Sequence, residues 1–359
     1  YYKCGHYSNN GFVRKLLFKM KWYILLALLL VPASMVAQTS GAASRSTTGS
    51  ATEPTGITTL SRSLGMAKGG GEYSYAGVPV NLAEHTFRCE HILKLQGVEK
   101  EGYQGMDIWG DYIFSCQNSG WLTVYRIDGG LIERECKPFK LASYDKVNHA
   151  NVATFGRTFY SKEDRFPLLY VSQCNREPIN GRKDVLYVER VANDLKSSEL
   201  VQTIYFKDTD HLFGYALQWV IDSDNNYLYG YGNTVDNTNP LNHHRIVKFR
   251  IPKLNESTDG IVTLTNDDLL ENYLIEDTYA APFNPIGQGL FIKNGQLFMP
   301  TGFGNEKCPS ILYVWNLETR TMQNVIDLTK ATFGELEDCA YYKGDLIIHA
   351  QGDLFRLTF

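Results

Sequence analysis

The sequence predicts an all-β fold, a five-bladed β-propeller, on three observations. A three-strand pattern recurs five times between His85 and Phe359. Apolar residues in that stretch alternate or cluster in short runs closed by Gly, Asn or Asp, which is the texture of strands and tight turns. The aromatic content is high, with 23 Tyr and 18 Phe in 359 residues, and it suits pleated, half-buried surfaces. Sustained 3.6-residue periodicity is nearly absent. The best short helix-like stretch is NDDLLENYLIE, Asn266–Glu276.

The units follow in order. The first is YQGMDIWGDYIFSCQNSGWLTVYRI, Tyr103–Ile127. The second runs from His149 to Val191, the third from Leu217 to Ile251, the fourth from Gly287 to Leu317 and the fifth from Leu336 to Phe359. Each opens with a strand that starts near a polar and a small residue. Tight turns at Gly110–Asp111, Asp224–Asn226, Asn294–Gly295 and Lys343–Gly344 lead into a second apolar strand, as such turn residues favour hairpins. A third strand of Leu-x-Val-Tyr character follows. Repetition at about 55 residues means one supersecondary unit arrayed radially or linearly, and four-stranded blades about an axis are the propeller solution.

The last unit ends after three strands. The stretch EHTFRCEHILKLQ before the first unit reads as an isolated strand. It can supply the missing fourth strand and close the ring, removing an open edge. A six-bladed ring is the alternative, because connections 193–216 and 252–286 have room for further strands.

Residues 1–37 read as a leader. A secretory signal starts at Met20, with a basic residue, an apolar run from Trp22 to Val31 and then small residues up to Ala37. The run is short of the roughly 20 residues that span a membrane. This predicts a secreted, periplasmic or cell-surface protein with no integral span once the signal is removed. Residues 38–84, rich in Ser, Thr, Gly and Ala, read as a disordered low-complexity tether, and 85–359 as the propeller. Without residues 1–37 the balance is 30 basic to 39 acidic residues, a sign that does not neutralise phosphates and excludes nucleic acid as a partner. Cys89, Cys116, Cys136, Cys174, Cys308 and Cys339 remain, an even number that permits disulfides in an exported chain. Free buried thiols are equally open. No metal-ligand spacing occurs among them.

Aligning the units puts Gln104, Gln218, Gln288 and Glu337 at one station, with His149 and Asn151 near it in the second unit. A ring of such side chains around a common channel offers donors and acceptors together, which suits hydroxyl-rich ligands. The same residues can instead tie adjacent blades together. Asp107 lies three residues past Gln104, and Glu335, Glu337 and Asp338 lie in the neighbouring last unit. Paired carboxylates are what glycoside hydrolysis needs, one as acid and one as base or nucleophile. Asp222, Asp224 and Asn226 have a calcium-like spacing without the later Gly and Glu of a calcium loop, and a strand-connecting turn uses the same residues. His243 and His244 are adjacent on a strand and point to opposite faces, so they are poor joint metal ligands. No GxSxG, HExxH, phosphate-cradling loop or repeated Asp box is present.

The order QGMDIWGDYIFSCQNSGWLTVYRI…HANVATFG…PLLYVSQC, with Gln104-Gly105 and His149-Ala150-Asn151, resembles secreted propeller-forming proteins of Bacteroidetes-type bacteria. More distantly it is similar to five-bladed phage receptor-binding and lectin-like propellers. The likeness covers His85–Phe359. It implies carbohydrate recognition at a cell surface and supplies no catalytic motif. The expectation is a monomeric, non-catalytic module that binds a glycan or another surface ligand at the axial face and needs no cofactor. Two other functions stay open: a glycoside hydrolase, and a platform for protein partners.

Overall fold

A computed structural model describes residues 64–75 and 78–358, apart from 146, 175–177, 179, 180, 183, 215 and 216; side chains are described from Phe87 onward. The leader read at 1–37 and most of the segment 38–84 lie outside the described residues.

Five antiparallel blades form a β-propeller. Blade 1 comprises Tyr103–Trp109, Tyr112–Gln117, Trp121–Asp128 and Leu131–Arg134, counted from the axis outward. Blade 2 comprises Val152–Phe155, Leu169–Ser172, Val185–Val191 and Ser198–Lys207. A fifth strand, Ile261–Thr265, lies parallel to its edge. Blade 3 comprises Gln218–Asp222, Tyr227–Asn233, His244–Arg250 and Glu271–Leu274. Blade 4 comprises Phe291–Lys293, Gln296–Thr301, Ile311–Asn316 and Thr321–Asp327. Blade 5 comprises Leu336–Tyr342, Asp345–Ala350 and Asp353–Thr358, and its outer strand is Val78–Lys94 from the other end of the chain.

That last pairing closes the ring. Arg88 faces Thr358 and Lys94 faces Asp353 in antiparallel register, and the Leu95 amide donates to the Gly352 carbonyl at 2.7 Å. The strand Leu64–Tyr75 pairs with Val78–Lys94 as a hairpin, and its Lys68 and Gly69 also pair with Asp327 and Ile326 of blade 4. Strand structure therefore starts upstream of His85.

The connections that left a sixth blade open are used by the existing five. Segment 193–216 carries the outer strand of blade 2, and 252–286 carries the parallel addition to blade 2 and the outer strand of blade 3. The helix-like stretch Asn266–Glu276 is that outer strand, flanked by single 3₁₀ turns. Its apolar pattern is too short to nucleate a helix, whereas Arg245–Lys248 offers it a full ladder of partners.

Strand alternation builds the core. In blade 2, Phe155, Tyr187, Val185 and Val171 pack toward blade 1 with Phe114 and Val124. Leu186, Val188, Tyr170 and Phe206 of the same blade pack toward blade 3 with Trp219 and Phe249. Equivalent layers fill blades 3 to 4 and blades 4, 5 and 1. At the far end of the inner strands, Asn294, Gly295, Lys343 and Gly344 all have positive φ, from 50° to 96°, as two-residue type I′ hairpin turns require.

Candidate functional site

The inner strands converge at the end where they begin, and two glycines let them do so. A Cβ on Gly105 would lie 2.5 Å from the Ala153 nitrogen and 2.6 Å from the Val152 carbonyl carbon. A Cβ on Gly289 would lie 2.3 Å from Asp338 Oδ1. Each glycine follows a ring glutamine, so the Gln-Gly pair places an amide at the mouth and lets the next blade close against the backbone behind it.

The amides are held in one orientation. Asn151 Nδ2 donates to the Gln288 carbonyl at 2.6 Å. Gln218 Nε2 donates to the Gly287 and Gln288 carbonyls at 3.2 and 3.0 Å. Gln288 Nε2 donates to the Gly302 carbonyl at 3.3 Å and to the Glu335 carboxylate. Every partner here is an oxygen that only accepts, so each side chain must turn its NH₂ inward. Gln104 Nε2 donates to Glu337 Oε2 at 3.4 Å. His149 Nδ1 meets Asn118 Oδ1 at 2.9 Å, and the His149 amide donates to the Gln173 carbonyl.

The four carboxylates divide into two kinds. Asp107 accepts the Ile108 amide at 2.7 Å and the Phe155 amide of blade 2 at 2.6 Å. Asp338 accepts the Cys339 amide at 2.9 Å and the Met106 amide of blade 1 at 2.8 Å. Both oxygens of each are engaged with backbone, so these two residues tie neighbouring inner strands together. Burial pushes the Asp107 carboxyl up to about 7 against those hydrogen bonds, and raises Asp338 well above the usual range. Glu335 and Glu337 carry no such backbone ties. Burial, then the nearby Glu335 and Asp338 charges, push Glu337 up to about 9, so it is protonated near neutrality. Burial raises Glu335 as well, and hydrogen bonds from Gln288 and Gln351 oppose the rise.

A cavity of about 210 Å³ opens among these groups, with His149, Asn151, Gln218, Gln288 and Glu335 in its wall. Gln104 and Glu337 do not line it. Cys174, Tyr231, Asn233 and Phe303 also line it, and the sequence reading missed them. They come from second strands or the loops just after them, where the strand closes in a polar or small cluster such as SQC or YGN. A survey of second-strand ends, beside inner-strand starts, would have found them. Three polar atoms of wall residues are themselves closed to solvent and have no hydrogen-bond partner: Asn151 Oδ1, Gln218 Oε1 and the Tyr231 hydroxyl. Their residues are 3 to 4% exposed. Burial lowers the His149 pKa and pushes the Cys174 thiol up to about 12, so both stay neutral near pH 7.

The remaining sequence candidates lie elsewhere. Asp222 accepts the Asn225 amide and side chain within its own turn. Asp224 pairs with Lys293 at 2.8 Å and Arg157 at 3.1 Å and accepts the Asn294 amide, linking blades 2, 3 and 4. The His244 side chain is 4% exposed and bonded to Glu276; His243 precedes the strand, is 51% exposed and reaches the same carboxylate at 4.0 Å, so the two do not alternate across one strand. Among the described residues no cluster of three metal-ligating side chains occurs, and no helix is long and apolar enough to cross a membrane.

No protein-family model matches the chain, and no curated protein matches it. Solved structures do. A glutaminyl cyclase of Myxococcus xanthus aligns over 75% of this chain and 95% of its own, at 14% identity and a TM-score of 0.42. A Thermus thermophilus protein assigned as a glucose dehydrogenase aligns over 76% and 99%, at 11% identity and 0.42. A tail fibre of a Staphylococcus aureus phage aligns over 75% of this chain and 52% of its own, at 10% identity and 0.44. No functional residue is carried over to this chain at these identities.

Proposed function

We propose that this propeller is an exported module that binds a carbohydrate at its axial mouth without transforming it. The observation that carries the proposal is the cavity at the axial mouth, walled by the polar residues His149, Asn151, Gln218, Gln288, Asn233 and Glu335. Amide, imidazole and carboxyl side chains around one cavity offer donors and acceptors to ligand hydroxyls. The exposed Phe303 ring on the same wall offers an apolar face to a sugar ring. At about 210 Å³ the cavity is smaller than the roughly 300–1,000 Å³ of drug-sized sites, which suits one sugar unit at a time. Export to the periplasm or cell surface belongs to the same proposal and rests on the signal sequence from Met20.

A glycan-array screen of the purified chain, followed by titration of the best hit, tests this reading. Gln218→Ala together with Gln288→Ala should weaken the hit at least tenfold, because about 1 kcal/mol is lost with each hydrogen bond. Retained affinity would move the site off the axis.

One observation favours a second reading, a glycoside hydrolase. Glu335 lines the cavity, and Glu337, outside its wall, is held protonated by burial and the nearby Glu335 charge, so the two form a candidate base and acid for a glycan that reaches past the wall to Glu337. This pair takes the place of Asp107 and Asp338, whose oxygens are engaged with backbone. Reducing-sugar release from the bound glycan, abolished by Glu337→Gln, would establish it.

A further inference from the structure

We infer that a second site, at the opposite end of the inner strands from the axial mouth, binds an unbranched aliphatic carboxylate. The inference stands apart from the axial-binding reading above.

The site is a cavity of about 360 Å³ between blades 5 and 1, beside the hairpin turns that hold Asp111 and Lys343. Its volume falls within the roughly 300–1,000 Å³ of small-molecule sites. Six isoleucines line it, each from a different strand: Ile92, Ile108, Ile113, Ile127, Ile132 and Ile347. Ile92, Ile108, Ile127 and Ile132 pack against the core yet stay only partly buried. An apolar ligand gains by removing that surface from water. Among the described residues of the wall only Tyr342 carries a ring, and its hydroxyl donates to Asp111 at 2.7 Å. Stacking surface is therefore scarce, and branched aliphatic walls match a chain better than a flat ring. At about 30 Å³ for each water-sized group, the cavity takes a chain of about eight to ten carbons with its carboxylate.

Arg356 sets the head group. It stands directly across from Ile347 in the ladder of blade 5, so both side chains lie on the face that lines the cavity. The other charges around it are matched. Lys343 meets Asp111 at 3.1 Å, Asp128 meets Arg126 at 3.6 Å, and Glu90, across from Arg356 on its other side, meets Arg88 at 3.9 Å. Arg356 meets Asp345 through Nε at 3.3 Å, without a hydrogen bond. No hydrogen bond of this guanidinium is present among the described residues; Nε is closed to solvent, and Nη1 and Nη2 are open. A guanidinium presents its donors in a planar fork that fits a carboxylate, and hydrogen bonds between charged groups are roughly twice as strong as neutral ones.

Calorimetric titration of the full chain at pH 7 with octanoate, octanol and octylamine tests the site with one chain and three head groups. Octanoate should bind about tenfold tighter than octanol, with protonated octylamine weakest. Arg356→Gln should bring the octanoate preference over octanol to near unity and leave octanol affinity unchanged. Ile132→Trp fills the cavity from its partly exposed edge and should abolish binding of both at an unchanged Tm. Equal affinity for the three head groups, or a preference that survives Arg356→Gln, would overturn the carboxylate assignment. Absence of octanoate binding, or binding that Ile132→Trp leaves intact, would overturn the site itself. Neither result bears on glycan binding at the axial mouth.

Discussion

Asp107 shows how much of this molecule depends on single buried groups. Its carboxyl is raised from 3.8 to about 7, chiefly by burial. Between those values the folded chain holds a proton that the unfolded chain has released, so stability falls as pH rises from about 4 through about 7. Asp107→Asn cannot ionise. It also leaves one of the two backbone amides without an acceptor, so it starts less stable than the wild type at pH 4. From pH 4 to pH 8 the variant should then gain on the wild type by about 2–4 kcal/mol, from about 1.4 kcal/mol per pKa unit. Urea midpoints for both proteins across that range measure it, and a difference that does not change with pH would refute it. The comparison has to be between the two proteins. His349, buried and lowered to about 4, gives the wild type an opposing trend: its stability is present above about 6.5 and lost as pH falls through about 4. The same scale explains the Gln-Gly pairs. The glutamine is legible as polar from sequence. The glycine is explained only by the Ala153 nitrogen 2.5 Å from where its Cβ would stand.

Blade 5 is built from both ends of the propeller. Its outer strand, Val78–Lys94, buries Phe87 and Cys89 and covers the edge that Asp353–Thr358 would otherwise expose. A variant beginning at Leu95 would lose that ladder and leave an unpaired strand edge, which templates association. Full burial of one large apolar side chain contributes about 1.5–3 kcal/mol, so removing Phe87 with the backbone pairing should lower Tm by several degrees. Such a variant should also form oligomers on size-exclusion chromatography. A monomer melting with the intact chain would show that the closure contributes nothing. The sequence pointed to this strand by elimination: the last unit had three strands, and a lone strand stood before the first. The outer strand of blade 3 was harder to see, because Asn266–Glu276 has a helix-like apolar spacing over a stretch too short to hold a helix.

The whole ring is held by apolar layers between neighbouring blades, and Cys89, Cys116, Cys136, Cys174, Cys308 and Cys339 are all free thiols. Burial raises Cys89 to about 12 and pushes Cys116 and Cys339 higher still, so these thiols are inert in the folded state. A reductant should leave Tm unchanged, and a thiol reagent should reach Cys89, Cys116 and Cys339 only on unfolding. A Tm that drops in reductant would reveal a crosslink. A domain of this size buries enough apolar surface to stand without one.

Periodicity determined the propeller. Strand alternation, turn residues and a repeat of about 55 residues are local properties, and five copies with a spare strand at the front leave few ways to close a sheet. The axial station was legible for the same reason, since equivalent positions in a repeat occupy equivalent places around an axis. What those residues do was decided by tertiary structure. Sequence alignment put Asp107, Glu335, Glu337 and Asp338 in one class, whereas hydrogen bonding divides them into two backbone ties and two groups without such ties. The amides read as both donors and acceptors free to meet a ligand, yet carbonyls from the neighbouring chain segments take the donors of Asn151 and Gln218, and their own oxygens are closed to solvent. Such partners lie up to 137 residues apart in the chain, and no local pattern records them.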